Sequence, residues 1–306
     1  MTFTPAVAQD LRQSLATVVA VPVTPFQADG KPDWDTYAVL TGRLVDGGIT
    51  VITPNGNTGE FYALTAAEAR QAAETAAAAS RGQAELLAGV GHDIATAAEA
   101  ARHAQDQGIR MIMIHQPVHP YVSREGWIDY HAAIAGAVPD LGVVLYVRNE
   151  RITGADIAAL ADRAPNVIAV KYGLRDASTF AAVARDAGIG RFTWLAGAAE
   201  LTAPSYLACG AHGFTSGLAN VDAALPLAML DALRGGDYGE AMKVWEKVRR
   251  FEELRAADAS ADNVSVVKEA LAQLGLCRPD VRPPSRPLPP AVRQEIKQIL
   301  TGWGLA

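Results

Sequence analysis

The stretch GVVLYVRNERITGADIAALADRAPNVIAVKYG, residues 142–173, contains one strand–helix–strand unit. Its two ends are short apolar runs, and its middle has apolar residues at helical spacing behind Thr153, a residue type that caps helix N-termini. Both runs are continuously apolar, which is typical of parallel strands covered on both faces. The stretch predicts strands at 142–147 and 166–171 that are joined by a helix at 153–163.

Similar units recur along the chain. Short apolar runs alternate with alanine-rich amphipathic segments, several of which open with an N-cap candidate such as Thr65 or Ser123, and this alternation indicates βαβ units. Eight strands favour an α/β fold of the closed (β/α)8 TIM barrel type, although counting alone does not exclude an open doubly wound sheet. The remaining predicted strands lie near 17–23, 49–53, 85–90, 110–115, 192–196 and 211–216, and the remaining helices near 34–46, 65–80, 94–107, 123–137, 176–186 and 199–209.

The pattern changes after about residue 221. Three helix-like segments follow without an intervening strand, and the proline-rich stretch CRPDVRPPSRPLPP at 277–290, which favours an extended backbone, precedes a last helix near 290–302. We therefore expect a barrel at 1–220 and a C-terminal helical extension at 221–306 that packs on the barrel.

The composition excludes several classes of partner. The chain of 306 residues carries a formal net charge of -6, which argues against nucleic acid or an anionic membrane. No apolar stretch approaches the roughly 20 residues that span a bilayer, and the N-terminus lacks a signal-peptide pattern. Cys209 and Cys277 form neither a disulfide framework nor a metal-binding spacing. We expect a cytoplasmic protein with reduced thiols.

The chain has six lysines, and one of them, Lys171, closes the apolar run at 166–171. The other five lie in helix-like or turn-like segments that we expect to be solvated. By two-residue alternation Lys171 shares a face with Val167 and Ala169, so its amine stands at the barrel mouth if that face points inward. Partial desolvation lowers the pKa of an ammonium and leaves an amine that can attack a carbonyl. A lysine that snorkels or pairs with a carboxylate is the alternative.

Tyr146 closes the preceding strand of the predicted barrel. Because the carboxyl ends of the strands meet at one end of a barrel, we expect Tyr146 to lie within a few ångströms of Lys171, where a phenol could relay protons. An ordinary strand aromatic is the alternative. Arg148 and Arg151 follow, and either could clamp a substrate carboxylate with a two-pronged hydrogen bond or lie in a solvated loop.

The stretch TPNGNTGEFYALT at 53–65 follows the second predicted strand. Gly56 and Gly59 let the backbone take positive φ, so we expect successive amides to form an anion-binding nest, with Asn57 and Thr58 as additional donors. A carboxylate would fit such a nest. A simple strand-to-helix turn would use the same residue types.

Two weaker features concern anions and metals. HGFTSGLAN at 212–220 follows the eighth predicted strand, where barrels often bind anions, but it could equally be only a turn. His115 and His119 are four residues apart, yet a proline between them breaks the helix that would align them. We therefore predict no metal site.

Taken together, these stretches resemble the dihydrodipicolinate synthase / N-acetylneuraminate lyase superfamily of class I Schiff-base aldolases. The resemblance covers almost the entire chain, and its motifs occur in the family's order. They are VPVTPF at 21–26, GNTGE at 56–60, the tyrosine of the fifth strand, VIAVKYG at 167–173 and HGFTSGLAN at 212–220. The resemblance implies a small 2-oxo acid as substrate and a homotetramer built as a dimer of dimers.

The resemblance also implies roles for individual residues. Lys171 would form a Schiff base with the 2-oxo acid, Tyr146 would relay protons, and the Thr58 hydroxyl with neighbouring amides would hold the carboxylate. We expect no metal and no organic cofactor, because the imine itself supplies the electron sink. The other residues placed at the substrate are Gly56, Asn57, Gly197, Thr215 and Ser216.

The sequence departs from the synthase pattern at several positions. Synthases have two threonines where this chain has Asn57 and Thr58, and a tyrosine pair where it reads PVHP at 117–120. Ala198 stands where the N-acetylneuraminate lyase branch has an acidic residue. By contrast, GEFYALT at 59–65 and an arginine two residues after the strand-five tyrosine resemble the 5-dehydro-4-deoxyglucarate dehydratases.

The favoured hypothesis is therefore a dehydratase and decarboxylase of a 2-oxo-3-deoxy sugar diacid such as 5-dehydro-4-deoxyglucarate. The imine would act as electron sink while a C3 proton, water and CO2 leave, giving 2,5-dioxopentanoate, and Arg148 or Arg151 would hold the second carboxylate. The alternatives are a pyruvate-dependent aldolase or lyase similar to N-acetylneuraminate lyase, dihydrodipicolinate synthase, and a non-enzymatic sugar-acid binder.

Overall fold

The computed structural model describes residues 3–306, and its eight strands form a closed barrel. The strands are β1 (Val18–Ala20), β2 (Val51–Ile52), β3 (Glu85–Val90), β4 (Met111–Ile114), β5 (Gly142–Val147), β6 (Val167–Tyr172), β7 (Thr193–Ala196) and β8 (Gly213–Ser216). They are arranged in sequence order around the barrel, and the five pairings from β3 to β8 are parallel. The prediction of a (β/α)8 barrel is confirmed, and the open doubly wound alternative is wrong.

Helices alternate with the strands and then continue without them. They are α1 (Pro5–Leu15), α2 (Trp34–Asp46), α3 (Ala66–Ser80), α4 (Ile94–Asp106), α5 (Arg124–Ala137), α6 (Gly154–Arg163), α7 (Ala177–Asp186), α8 (Ala203–Ala208), α9 (Ala224–Arg234), α10 (Tyr238–Ser260), α11 (Asn263–Gln273) and α12 (Pro290–Trp303). The pattern did not predict α1. This helix begins behind Thr4, whose hydroxyl accepts a hydrogen bond from the Val7 amide, and it buries Leu11 and Leu15.

Three N-caps predicted from the sequence are confirmed. The side chains of Thr65, Ser123 and Thr153 each accept a hydrogen bond from the first turn of the helix that follows. Two of them form capping boxes, in which the side chain of Glu68 accepts a hydrogen bond from the Thr65 amide and that of Asp156 from the Thr153 amide. These local bonds fix where α3, α5 and α6 begin, and therefore where the preceding loops end.

Helix α8 is shorter than the sequence predicted. The predicted segment began at residue 199, but Ala199 has φ 60, in the left-handed region that a right-handed helix excludes. The backbone therefore turns at Ala199, and the helix starts only at Ala203.

The described chain divides into two compact units. The first comprises the N-terminal segment up to Val19 together with Glu85–Thr215, and the second comprises Ala20–Ala84 together with Ser216–Ala306. The division into a barrel at 1–220 and an extension at 221–306 stays a prediction. No helix within residues 3–306 is both long enough and apolar enough to cross a lipid bilayer.

In the first unit, β5 and β6 are buried along their whole length. Tyr172 at the end of β6 contacts aromatic rings of the helix layer, with ring centroids 5.7 Å from Phe180 and 6.4 Å from Tyr206. Phe180 and Tyr206 stack on each other at 4.5 Å. This cluster covers the outer face of β6, which explains why the strand is continuously apolar.

In the second unit, α11 is buried over eight consecutive residues, 264–271. A helix buried on every side must bury its polar residues as well, and Lys268 is 0% exposed. The expectation that every lysine other than Lys171 is solvated is therefore wrong. Local sequence does not reveal this burial, because a lysine in a helix is normally on its solvated face.

Candidate active site

Lys171 and Tyr146 lie side by side at the carboxyl ends of β6 and β5. The parallel register pairs these two residues directly, and the Lys171 Nζ atom lies 4.4 Å from the centroid of the Tyr146 ring. Lys171 is 4% exposed and Tyr146 5% exposed. The structure thus brings together an amine and a phenol at a buried position, and their catalytic roles stay predictions.

The direction of the Lys171 side chain follows from its neighbour. Tyr172 points to the helix layer, where it contacts Phe180 and Tyr206. Because successive side chains of a strand point to opposite faces, Lys171 points away from the helices and toward the interior of the barrel. This is the face that the active sites of such barrels use at their carboxyl ends.

Two glycines leave room around the amine and the phenol. A Cβ atom at Gly197 would lie 3.0 Å from Lys171 Cγ, closer than nearly all real contacts. A Cβ atom at Gly173 would lie 2.9 Å from Tyr146 Cε2 and 2.8 Å from Arg148 Cγ. Any larger residue at Gly173 or Gly197 would therefore displace the side chains of the pair.

The two candidate arginines differ in their surroundings. The Nη1 of Arg151 donates a hydrogen bond to the Val122 carbonyl at 3.3 Å, and its amide donates to Asn149 Oδ1 at 3.0 Å. Arg148 is exposed, and among residues 3–306 its guanidinium has no hydrogen-bond or ion-pair partner. Its Cγ lies beside Gly173 and hence beside Tyr146. The Arg148 guanidinium therefore has no partner in the described chain, whereas that of Arg151 is already bound to a backbone carbonyl.

Two residues after β4 contact Tyr146, and sequence reasoning missed both as its neighbours. The ring of His115, which is 0% exposed, lies with its centroid 6.1 Å from that of Tyr146 at 76°. The Gln116 side-chain amide donates a hydrogen bond to the Tyr146 carbonyl. Their position in the sequence could have predicted these contacts, because both residues directly follow β4, the strand that pairs with β5.

Gly56, Asn57 and Thr58 lie in a tight turn after β2, in the second unit. The amides of Gly59 and Glu60 donate to the carbonyls of Gly56 and Asn57 at 2.9 and 3.0 Å, which closes one turn of 3-10 helix at Asn57–Gly59. Thr58 is 5% exposed, and it forms no hydrogen bond to another residue of the described chain. The first amides of such a turn and the Thr58 hydroxyl can serve as donors to an anion.

The predicted reason for the glycines in this turn was wrong. Gly56 has φ -80, and Gly59 is likewise outside the left-handed region, which is occupied by Asn55 with φ 60 and Glu60 with φ 59. The glycines are needed for space. A Cβ atom at Gly56 would overlap the Val21 side chain, and one at Gly59 would lie 3.0 Å from a backbone carbonyl.

Thr215 and Ser216 are the last two residues of β8. Thr215, in the first unit, is 5% exposed. Ser216 begins the C-terminal part of the second unit, and its hydroxyl accepts a hydrogen bond from the Ala219 amide at 2.9 Å. Asn220, which sequence reasoning did not single out, donates to the Val21 carbonyl at 2.8 Å and accepts from the Val23 amide at 3.2 Å. Ser216 and Asn220 therefore shape the loop after β8.

His119 lies in the exposed loop after β4. Its Nδ1 contacts the backbone of Tyr121, whose side chain is 85% exposed. Within the described residues, no cluster of three or more histidine, cysteine or acidic side chains is arranged to hold a metal ion.

Comparison with known proteins places this geometry in one family. Residues 14–302 match the sequence model of the dihydrodipicolinate synthetase family. A 4-hydroxy-tetrahydrodipicolinate synthase of Phenylobacterium zucineum is 30% identical, over 92% of this chain and 95% of the relative. A "Probable 5-dehydro-4-deoxyglucarate dehydratase" of Delftia acidovorans is 27% identical, over 97% of this chain and 98% of the relative.

The fold comparison agrees. A solved structure of dihydrodipicolinate synthase from Oceanobacillus iheyensis has a TM-score of 0.93 and 36% identity, and the alignment covers 98% of this chain and 100% of that chain. Because the family match extends over nearly the whole sequence, the chain belongs to the dihydrodipicolinate synthetase family and is a lyase of that family.

Proposed function

We propose that this protein is a Schiff-base-forming lyase of 2-oxo acids in which Lys171 is the nucleophile and Tyr146 the proton relay. The observation that carries the proposal is the buried Lys171 Nζ, 4.4 Å from the Tyr146 ring centroid at paired strand ends. Attack of the amine on a ketone gives a carbinolamine, and loss of water gives the imine. Both steps move protons, and a phenol beside the amine can carry them.

The carboxylate next to the ketone would be held by the turn after β2. The Thr58 hydroxyl and the first amides of the turn, at Asn57 and Thr58, are the donors that support this assignment. Gly56 lets the turn pack closely against its own unit. Gly197 and Thr215, at the ends of β7 and β8, would border the reacting carbon, and Ser216 would act by shaping the loop behind it.

The proposed substrate is a 2-oxo-3-deoxy sugar diacid such as 5-dehydro-4-deoxyglucarate. After the imine forms at C2, a C3 proton leaves and the C4 hydroxyl departs as water, which gives an unsaturated imine. The bond to the distal carboxylate then breaks, CO2 leaves, and the electron pair moves through the C3–C4 double bond into the imine. The resulting dienamine takes a proton at C3, which restores the imine, and the enol at C5 takes a proton at C4 and loses its hydroxyl proton to become an aldehyde. Hydrolysis of the imine then returns the Lys171 amine and releases 2,5-dioxopentanoate. The exposed Arg148 guanidinium supports this choice, because a second carboxylate needs such a partner.

A second candidate is synthesis of the dihydrodipicolinate type, in which the same imine joins pyruvate to an aldehyde. The 36% identity to the Oceanobacillus iheyensis synthase favours it. Against it stands the stretch PVHP at 117–120, where synthases have a tyrosine pair. The predicted homotetramer and cytoplasmic location are not needed for either candidate and stay predictions.

The test has two stages. First, the protein is incubated with pyruvate and borohydride and then weighed. We expect the mass of one reduced adduct per chain, located on Lys171 by peptide mapping, and absence of the adduct would overturn the proposal. Second, the protein is given 5-dehydro-4-deoxyglucarate, or pyruvate with an aldehyde. CO2 release from the diacid supports the dehydratase, and condensation without CO2 release supports the synthase.

A further inference from the structure

Helix α11 and the proline-rich segment at 277–290, both in the second unit, bind Glu60, the residue that directly follows the turn with Thr58. One carboxylate oxygen of Glu60 pairs with Lys268 Nζ on α11, and the other accepts a hydrogen bond from the Arg282 amide at 2.8 Å. The side chains of Glu60 and Lys268 are 3% and 0% exposed. Lys268 also donates to the Asp280 carbonyl at 2.9 Å, and its Nζ lies 3.9 Å from the centroid of the Phe26 ring.

Arg282 makes a second attachment between the C-terminal segment and this region. Its guanidinium donates to both oxygens of Glu68 at 2.8 and 2.6 Å, to the Ala63 carbonyl at 2.9 Å and to the Gly30 carbonyl at 2.8 Å. It also lies 4.5 Å from the centroid of the Phe26 ring, on which Lys268 stands too. Glu60 and Glu68 are thus both fixed by the same short C-terminal segment.

The backbone of Glu60 requires such fixing. Its φ of 59 and ψ of 35 put a non-glycine residue in the left-handed region, which costs about 1 kcal/mol or more. The Glu60 amide closes the turn onto the Asn57 carbonyl, so a change at Glu60 would move Asn57 and Thr58. Helix α11 packs directly against this turn.

The charge of Glu60 also matters for an anionic substrate. A carboxylate two residues from Thr58 would repel a carboxylate held by that turn, unless a cation neutralises it. Lys268 supplies that cation. A buried ion pair is in general no more stabilising than apolar residues of similar volume, so stability alone does not account for a lysine at this position.

We propose that Lys268 and Arg282 are positioning residues. Lys268 neutralises Glu60, the Arg282 amide helps to hold it, and together they keep the Asn57–Thr58 turn able to bind the substrate carboxylate. This inference rests on the proposed function and assigns a part of substrate binding to the C-terminal extension. Neither residue touches the reacting atoms.

The experiment compares Lys268→Met, Glu60→Gln and the double variant with the unaltered protein. The measured quantity is the pyruvate concentration that gives half-maximal borohydride trapping on Lys171, together with KM and kcat for turnover. Lys268→Met removes the cation that holds Glu60, and we expect the half-saturating concentration to rise about tenfold, the effect of weakening one hydrogen bond to a charged group. Trapping at saturating pyruvate should reach the same extent. The double variant removes both charges and should recover part of the loss.

Leu300→Ala is the matched control. Leu300 lies on α12 and is 0% exposed, and the substitution costs about 3 kcal/mol of stability, comparable to breaking a buried ion pair. We expect its half-saturating concentration to be unchanged. An unchanged value in Lys268→Met, or an equal rise in Leu300→Ala, overturns the positioning role.

Two further outcomes are decisive. If Lys268→Met does not fold, Glu60→Gln and the double variant decide, and unchanged half-saturation in both overturns the inference. If the unaltered protein forms no adduct, the proposed function fails and this inference fails with it. An adduct in the unaltered protein combined with unaffected variants overturns the positioning role alone.

Discussion

The two buried lysines of this chain have different neighbours. Lys171, on β6 in the first unit, is 4% exposed, and its Nζ lies 4.4 Å from the centroid of the Tyr146 phenol ring. Lys268, on α11 in the second unit, is 0% exposed, and its Nζ is held by the Glu60 carboxylate and the Asp280 carbonyl. One amine is next to a group that can exchange protons, and the other is bound in an ion pair.

Burial alone therefore does not identify a nucleophile. Burial lowers the pKa of Lys268, while the Glu60 carboxylate acts in the opposite direction. An amine held by a carboxylate and a carbonyl is not available for attack, whereas an amine beside a phenol on the inner face of a barrel can react and regain its proton. We therefore propose a catalytic role for Lys171 and a positioning role for Lys268.

The largest expected effect separates the two lysines directly. Lys171→Ala removes the nucleophile, so we expect no trapped adduct and a loss of turnover of about 10⁴-fold or more, which is typical when a covalent catalyst is removed. Intact-mass measurement after borohydride treatment and a turnover assay check this. Lys243→Ala, at an exposed lysine paired with Glu240, is the control and should trap normally. An adduct that persists in Lys171→Ala would show that another amine is the nucleophile.

The next effect concerns the neighbour that distinguishes Lys171. Tyr146→Phe removes only a hydroxyl, so we expect the fold and its melting temperature to change little and kcat to fall by about 10²- to 10⁴-fold, the usual contribution of a positioned proton donor. Tyr172→Phe is the matched control, because Tyr172 is adjacent in register but faces the helix layer. Equal rates for both variants would remove the phenol from the mechanism.

The sequence predicted the fold well because strands and helices of this kind depend on local patterns. Continuous apolar runs gave β5 and β6 to within one residue, and polar N-caps gave the starts of α3 and α6. Helix α1 was missed because it buries only two residues, Leu11 and Leu15, and two apolar positions do not mark a core-facing stripe in the sequence. The start of α8 was missed because nothing in the sequence requires Ala199 to adopt φ 60.

The candidate site was predictable only in part, for physical reasons. The proximity of Lys171 and Tyr146 was predictable, because the two residues lie at the ends of neighbouring parallel strands, whose register pairs them directly. The role of the glycines at 56 and 59 was misassigned, since close approach to a neighbouring segment is a tertiary property. The Glu60–Lys268 pair spans 208 residues of sequence, and no local pattern connects its members.

A smaller expected effect tests which arginine completes the proposed site. Arg148→Gln should raise KM for the sugar diacid by about tenfold, the loss of one charge-assisted contact, and leave half-saturation by pyruvate unchanged, because pyruvate has no second carboxylate. Arg151→Gln should have a smaller effect, since Arg151 already donates to the Val122 carbonyl. Steady-state kinetics with both substrates decide. Equal effects on the two substrates would contradict a role for Arg148 in holding the distal carboxylate.

The smallest expected effect concerns the ion pair between Arg282 and Glu68 in the second unit, which we expect to stabilise the fold to an extent that depends on pH. The hydrogen bonds from Arg282 lower the pKa of Glu68 from its ordinary 4.5 to about 2. Because the folded pKa lies below the unfolded one, the stabilisation is fully present above pH 4.5 and is lost as pH falls toward 2. Arg282→Gln should therefore remove about 1 kcal/mol of unfolding free energy that depends on pH in this window, a modest value because both side chains are partly solvated.

Urea unfolding at neutral and acidic pH measures this difference in unfolding free energy. Arg278→Gln, at the more exposed pair with Asp280, is the control. A difference between Arg282→Gln and the unaltered protein that stays constant with pH would mean that Arg282 stabilises only by packing on Phe26 and by its bonds to backbone carbonyls.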